Sequence, residues 1–201
     1  QVRIDKLLAL GALEQAAALI DAAGADTPEL FRRSFDVALL TGAEERACDR
    51  MQGAPHLAPT VPARIFCLAR SGDWDTAALT LHTSQALGQI SADQASLLAR
   101  FLDPDLFEGE PVPPAPDPVT PLDWKIFEAV GEPLSTEGLP LAFSYAEIGP
   151  RSGWKARIEA AERLTRAGTI APNVILGLYT EAHPAASGGV WDRAEAFQRF
   201  E

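Results

Sequence analysis

The stretch of sequence that decides the fold is LLTGAEERA, residues 39–47. It has two counterparts, LALGALEQA at residues 8–16 and LARSGDWDTA at residues 68–77. In each copy an apolar run ends at a glycine and an alanine follows five residues later, and the three glycines are 31 and 30 residues apart. A period of this length is typical of stacked helix-turn-helix units, each of which needs its neighbours to cover its apolar face. We therefore predict an all-α fold, an α-α superhelix or solenoid of helix-turn-helix repeats.

Capping residues mark where several of these helices begin. Thr27, Thr60 and Asp73 each stand before an apolar helical run, where a side-chain oxygen can accept a hydrogen bond from a backbone N–H of the first turn. They predict helices over residues 28–40, 61–71 and 74–86. In the last of these, the helical spacing points Trp74 and Leu81 inward.

A change of composition sets residues 103–121 apart, because they contain seven prolines and five acidic residues. Prolines this dense exclude a helix and favour an extended conformation. The segment is either a semi-rigid linker between two modules or a belt on one continuous solenoid. Gly131 lies about two repeat lengths after Gly72, which favours the belt. We predict helical repeats over residues 1–102, the belt or linker over 103–121, and a continuing helical region over 122–201.

The overall charge limits the kinds of partner. The 201 residues carry a formal net charge of −11, whereas binding to nucleic acid requires clustered Lys and Arg. No apolar run approaches the roughly 18 residues that a membrane-spanning helix needs. We therefore expect a protein or peptide partner, no nucleic acid, no membrane-spanning segment and no cofactor.

The ends of the sequence and its cysteines bear on where the protein works. The sequence begins with Gln1, its only Met is Met51, and only ten residues precede Gly11, so we expect a processed or excised part of a longer protein. Cys48 and Cys67 lie on consecutive predicted helices at similar distances from the connecting loop, so antiparallel packing can bring them together. They are either a disulfide or two separate buried residues. A disulfide favours a periplasmic or secreted location over a cytoplasmic one.

The sequence shows no catalytic motif. His56, His82 and His183 are too scattered for a metal site, and no Cys or His pair has the spacing of a zinc site. We expect the adjacent carboxylates Glu44 and Glu45 to be solvated on a surface turn. These observations predict a protein that is not an enzyme, with no catalytic, cofactor-binding or metal-binding residues.

Residues 72–77, GDWDTA, resemble the turn between the two helices of tetratricopeptide-like repeats. In that family a small residue follows the alanine by seven positions and a proline by twelve. Ala16 and Ala47 are followed in this way by Ala23 with Pro28 and by Ala54 with Pro59, whereas Ala77 is followed by Ser84 and Gln89. The resemblance covers roughly residues 1–90. It implies a right-handed superhelix in which the first helix of each unit lines a concave, peptide-binding surface.

Carried onto this sequence, the resemblance places five residues in that groove: Arg32, Arg33, Asp36, Phe66 and Arg70. The arginines would bind an acidic or C-terminal peptide, with Phe66 as an apolar anchor. Alternatively, the arginines pair with neighbouring acids and Phe66 is core. We expect a non-catalytic interaction scaffold of the bacterial cell envelope. The other interpretation is the superhelical accessory region of a cell-wall-acting enzyme such as a lytic transglycosylase, with the catalytic part outside this chain.

Overall fold

The computed structural model describes residues 1–200 and shows an all-α protein, as the repeat pattern predicts. About 65% of the chain is helical, and no strand occurs among the described residues. The twelve α-helices of residues 1–200 are α1 (Val2–Ala9), α2 (Leu13–Ala23), α3 (Pro28–Thr41), α4 (Glu44–Gly53), α5 (Val61–Arg70), α6 (Trp74–Ala86), α7 (Ala92–Leu102), α8 (Pro121–Ala129), α9 (Ala142–Glu147), α10 (Trp154–Arg166), α11 (Pro172–Thr180) and α12 (Val190–Gln198).

The predicted capping residues begin their helices. The side chains of Thr27, Thr60 and Asp73 accept hydrogen bonds from backbone N–H groups in the first turns of α3, α5 and α6, over 3.4, 3.2 and 3.3 Å. Each bond satisfies a donor that has no partner within the helix. The predicted starts of these three helices are confirmed, and their ends agree to within one residue.

The repeated sequence forms a repeated turn. Gly11, Gly42, Gly72 and Gly131 all adopt positive φ angles, between 72° and 86°. The residue after each glycine donates its N–H to the carbonyl five positions earlier, over 2.9, 2.8, 3.0 and 2.9 Å respectively. This bond closes the C-terminal turn of a helix and requires a left-handed residue, which glycine adopts without steric cost. The glycines of the sequence period therefore share one backbone geometry, which Gly88 and Gly168 also adopt outside the period.

The chain divides into two compact units. The larger consists of residues 19–135, and the smaller combines residues 1–18 with 136–201. The Pro-rich stretch, predicted as a belt or linker over 103–121, lies inside the larger unit. Proline density marks extended backbone, but it does not show whether that backbone packs against its neighbours.

In the larger unit, helices α3 to α7 each pack on the next helix in chain order, and α8 packs on both α3 and α7. Their shared core includes the fully buried rings of Phe31, Phe35 and Phe66. Trp74, predicted to point inward, is instead 49% exposed, so that prediction is wrong. Trp74 is the first residue of α6, at the N-terminal end of the helix, whereas the buried Leu81 lies further along it.

Arg100 contacts the Pro-rich segment within the larger unit. The guanidinium of Arg100 donates to the carbonyls of Glu110 and Pro111 over 3.2 and 2.7 Å and lies 5.0 Å from the centre of the Phe107 ring. Val112 packs against the core. Because proline has no N–H to form regular structure, a side chain satisfies these carbonyls instead.

The smaller unit has its own core from α10, α11 and α12. Ile158, Ala161, Leu178, Val190 and Ala194 belong to it, and the rings of Trp154 and Trp191 lie 5.1 Å apart beside it. Within this unit, a Cβ added to Gly11 would lie 2.7 Å from Leu164 and 3.0 Å from the Leu141 carbonyl. This first glycine is thus required by close packing as well as by its φ angle.

Candidate functional site

Three of the five predicted groove residues lie together on α3. Arg32 is exposed, whereas Arg33 and Asp36 are partly buried. The guanidinium of Arg33 donates to the Glu29 carbonyl one turn earlier, over 2.8 Å. Burial raises the pKa of Asp36 from its ordinary 3.8 to about 6, although the positive charges of Arg32 and Arg33 act to lower it. The cluster therefore gains net positive charge as the pH falls through about 6.

Asp36 yields a prediction about stability. Its pKa is higher in the folded than in the unfolded chain, so ionised Asp36 destabilises the fold above about pH 6. We expect Asp36→Asn to raise the free energy of unfolding by about 1–3 kcal/mol at pH 8. The gain should shrink towards pH 4, where the folded chain already holds the proton. Urea unfolding at both pH values measures this, and an equal gain at pH 4 and pH 8 would contradict it.

The other two predicted groove residues, Phe66 and Arg70, make contacts with other side chains of the larger unit. Phe66 is only 1% exposed and stacks on Phe101 with ring centres 5.4 Å apart. A side chain enclosed in this way cannot contact a surface ligand, so its predicted role as a peptide anchor is wrong. Arg70 pairs with Glu45 over 3.4 Å and lies 3.8 Å from Glu44, as the alternative interpretation for the arginines has it.

A buried ion pair ties α8 to the start of α4. Lys125 and Glu44 are each 5% exposed, and their Nζ and Oε1 atoms are 3.5 Å apart. Lys125 also contacts Glu128 over 3.0 Å. The sequence analysis predicted that Glu44 is solvated. That prediction is wrong, because α8 covers the Glu44 side chain. The sequence did contain a signal for Lys125, since it lies inside the apolar run Trp124 to Phe127.

Cys48 on α4 and Cys67 on α5 are joined in the structure, with sulfur atoms 2.00 Å apart and Cα atoms 5.0 Å apart. The two helices pack on each other across the connecting loop, and the bond joins one cysteine from each. A recess of about 410 Å³ opens beside this bond. The sequence pattern gave no indication of the recess, because it depends on the space left between two packed helices.

A second set of ionic contacts surrounds Glu162 in the smaller unit. Its carboxylate accepts hydrogen bonds from Arg193 (2.6 and 2.8 Å), Tyr179 (2.8 Å) and Arg166 (3.1 Å). Burial acts to raise the pKa of Glu162, but these hydrogen bonds and the two arginine charges outweigh it and lower the pKa. Glu162 therefore stays ionised and cannot serve as a general acid at neutral pH. The cluster ties α10, α11 and α12 together.

Comparison with models of protein families, with curated protein sequences and with solved structures finds no match.

Among residues 1–200, no cluster of His, Cys, Asp and Glu side chains is arranged to hold a metal ion. None of the described helices has the length and apolar character needed to cross a bilayer.

Proposed function

We propose that this chain is a non-catalytic helical-repeat scaffold that binds a protein or peptide partner, with its helix pairs arranged as a right-handed superhelix. The observation that carries the proposal is the repeated glycine turn. Four turns with this hydrogen bond follow the sequence period, although those at Gly88 and Gly168 lie outside it, and α3 to α7 pack in chain order. Helix pairs stacked in this manner present long surfaces for binding extended partners.

The binding surface in this proposal is centred on Arg32. Its side chain is exposed, and the neighbouring Arg33 adds a second positive charge in a chain whose net charge is −11. Phe66 does not contribute, so recognition rests on the guanidinium groups. A carboxylate-rich segment matches them, because arginine and carboxylate groups form paired hydrogen bonds.

The disulfide supports a location for this function. Disulfides persist in oxidising compartments and are rare where thiols are kept reduced. Cys48 and Cys67 lie at bonding distance. We therefore propose that the scaffold works in the periplasm or outside the cell, in keeping with a role in the bacterial envelope.

Photo-crosslinking tests the proposal. A photoreactive residue at position 29, exposed and one turn before Arg33 on α3, should form an adduct with one partner protein in the producing cells. Arg32→Ala should reduce the adduct by about tenfold or more, since a charge-assisted hydrogen bond contributes roughly 1.5–3 kcal/mol. Asp36→Asn should increase it at pH 8, because the mutation removes a negative charge beside the arginines.

The matched control is Arg46→Ala, which removes another exposed arginine of the same unit, located on α4. This variant should leave the adduct unchanged, and all three variants should retain the helical circular dichroism of the parent. If the adduct forms equally in Arg32→Ala and in Arg33→Ala, the surface centred on Arg32 does not bind the partner.

A further inference from the structure

The recess between α4 and α5 has the form of a small-molecule site. Its volume of about 410 Å³ falls within the usual range for such sites, roughly 300–1,000 Å³. On α5, Arg64, Cys67 and Leu68 fall at i, i+3 and i+4, so they share the helix face that lines one side. Residues at the end of α4 and just beyond it, including Met51 and Pro55, line the other side.

A covalent bond fixes the two sides of this recess. Cys67 lines it directly and is bonded to Cys48, which lies about one helical turn before Met51 on α4. The bond limits how far α4 and α5 can separate. The recess is therefore formed before any ligand arrives, which reduces the ordering cost of binding.

The recess combines an apolar lining with one cation. Pro55, which is exposed, and Leu68, which is half-buried, supply apolar surface. Arg64 is exposed and, unlike Arg50 and Arg70 of the same unit, forms no ion pair with a carboxylate among residues 1–200.

The only carboxylate in the lining already has a role. Asp73 caps α6 by accepting a hydrogen bond from the backbone N–H of Thr76 over 3.3 Å. Its negative charge is thus held at the start of that helix, where the helix dipole favours it. Among the described residues, Arg64 is the one cation in the lining and the group that can pair with an anionic ligand.

We propose that this recess binds a small amphipathic anion, an apolar chain that ends in a single carboxylate. The chain lies against Pro55 and Leu68, and the carboxylate accepts hydrogen bonds from the guanidinium of Arg64. This site is distinct from the peptide-binding surface centred on Arg32, and neither proposal depends on the other.

Titration with decanoate at pH 7.5, followed by NMR chemical shifts of the full chain, tests the site. The parent chain should bind decanoate with shifts concentrated in residues 48–73. Arg64→Gln should weaken binding about tenfold, which corresponds to about 1.4 kcal/mol. Arg46→Gln, which removes an exposed arginine outside the recess, should bind like the parent. Decanol, which lacks the charge, should bind the parent and Arg64→Gln equally.

The disulfide provides a second measurement. The Cys48→Ser/Cys67→Ser variant should bind decanoate more weakly than the parent, provided that circular dichroism shows its helices intact; if they are lost, the Arg64 comparison decides alone. Equal decanoate affinity in the parent and Arg64→Gln would overturn the proposal. So would shifts that map outside residues 48–73.

Discussion

Lys125→Met should lower the free energy of unfolding by about 3 kcal/mol, because it leaves the Glu44 carboxylate buried without its nearest cation. Glu44 is 5% exposed, and its Oε2 atom has no hydrogen-bond partner among the described residues. Only Arg70, 3.8 Å from Oε1, would remain to offset the charge. Methionine preserves most of the side-chain volume, so the loss reports the ion pair and not a cavity. Urea unfolding at pH 7 measures the change.

Two further variants separate the cost of an unpaired buried charge from the cost of losing any lysine ion pair. The double variant Glu44→Gln/Lys125→Met should recover most of the loss, since no buried charge is then left unpaired. Lys155→Met breaks an exposed pair with Glu159, 3.5 Å long, and should cost less than about 1 kcal/mol. A loss below 1 kcal/mol for Lys125→Met alone would show that the Glu44 charge is solvated in solution.

Breaking the bond between Cys48 and Cys67 should cost the fold about 3 kcal/mol. The cysteines are 19 residues apart, and a cross-link that closes a loop of this length restricts the unfolded chain by about that amount. Under denaturing conditions without reductant, the native protein should show no free thiol. Two thiols that titrate at once would contradict the disulfide.

The control for this prediction is the Cys48→Ala/Cys67→Ala variant. Dithiothreitol should lower the unfolding midpoint of the parent chain and leave that of the double variant unchanged. If reductant lowers both midpoints equally, it does not act through the bond between Cys48 and Cys67. If it lowers neither, the disulfide contributes nothing to stability and the loop is already restricted in the unfolded chain.

Local chemistry allowed the sequence to predict the helices. Caps at Thr27, Thr60 and Asp73 act within one turn, and so do glycines that end helices, so both can be read from neighbouring residues. The same is true of the glycine period, which shows that equivalent turns recur. The pairing of Cys48 with Cys67 could also be anticipated, because it needs only two helices that pack antiparallel across a short loop.

By itself, then, the sequence determined the all-α class, most helix starts and the repeated turns, because these depend on contacts between residues close in the chain. Only the tertiary structure decided which side chains are covered. The burial of Phe66 beside Phe101 and of Glu44 beneath Lys125 depends on helices distant in sequence, as does the course of the Pro-rich segment across Arg100. Periodicity identifies an apolar or charged face, but burial is a property of whatever packs against that face, and a single helix does not carry that information.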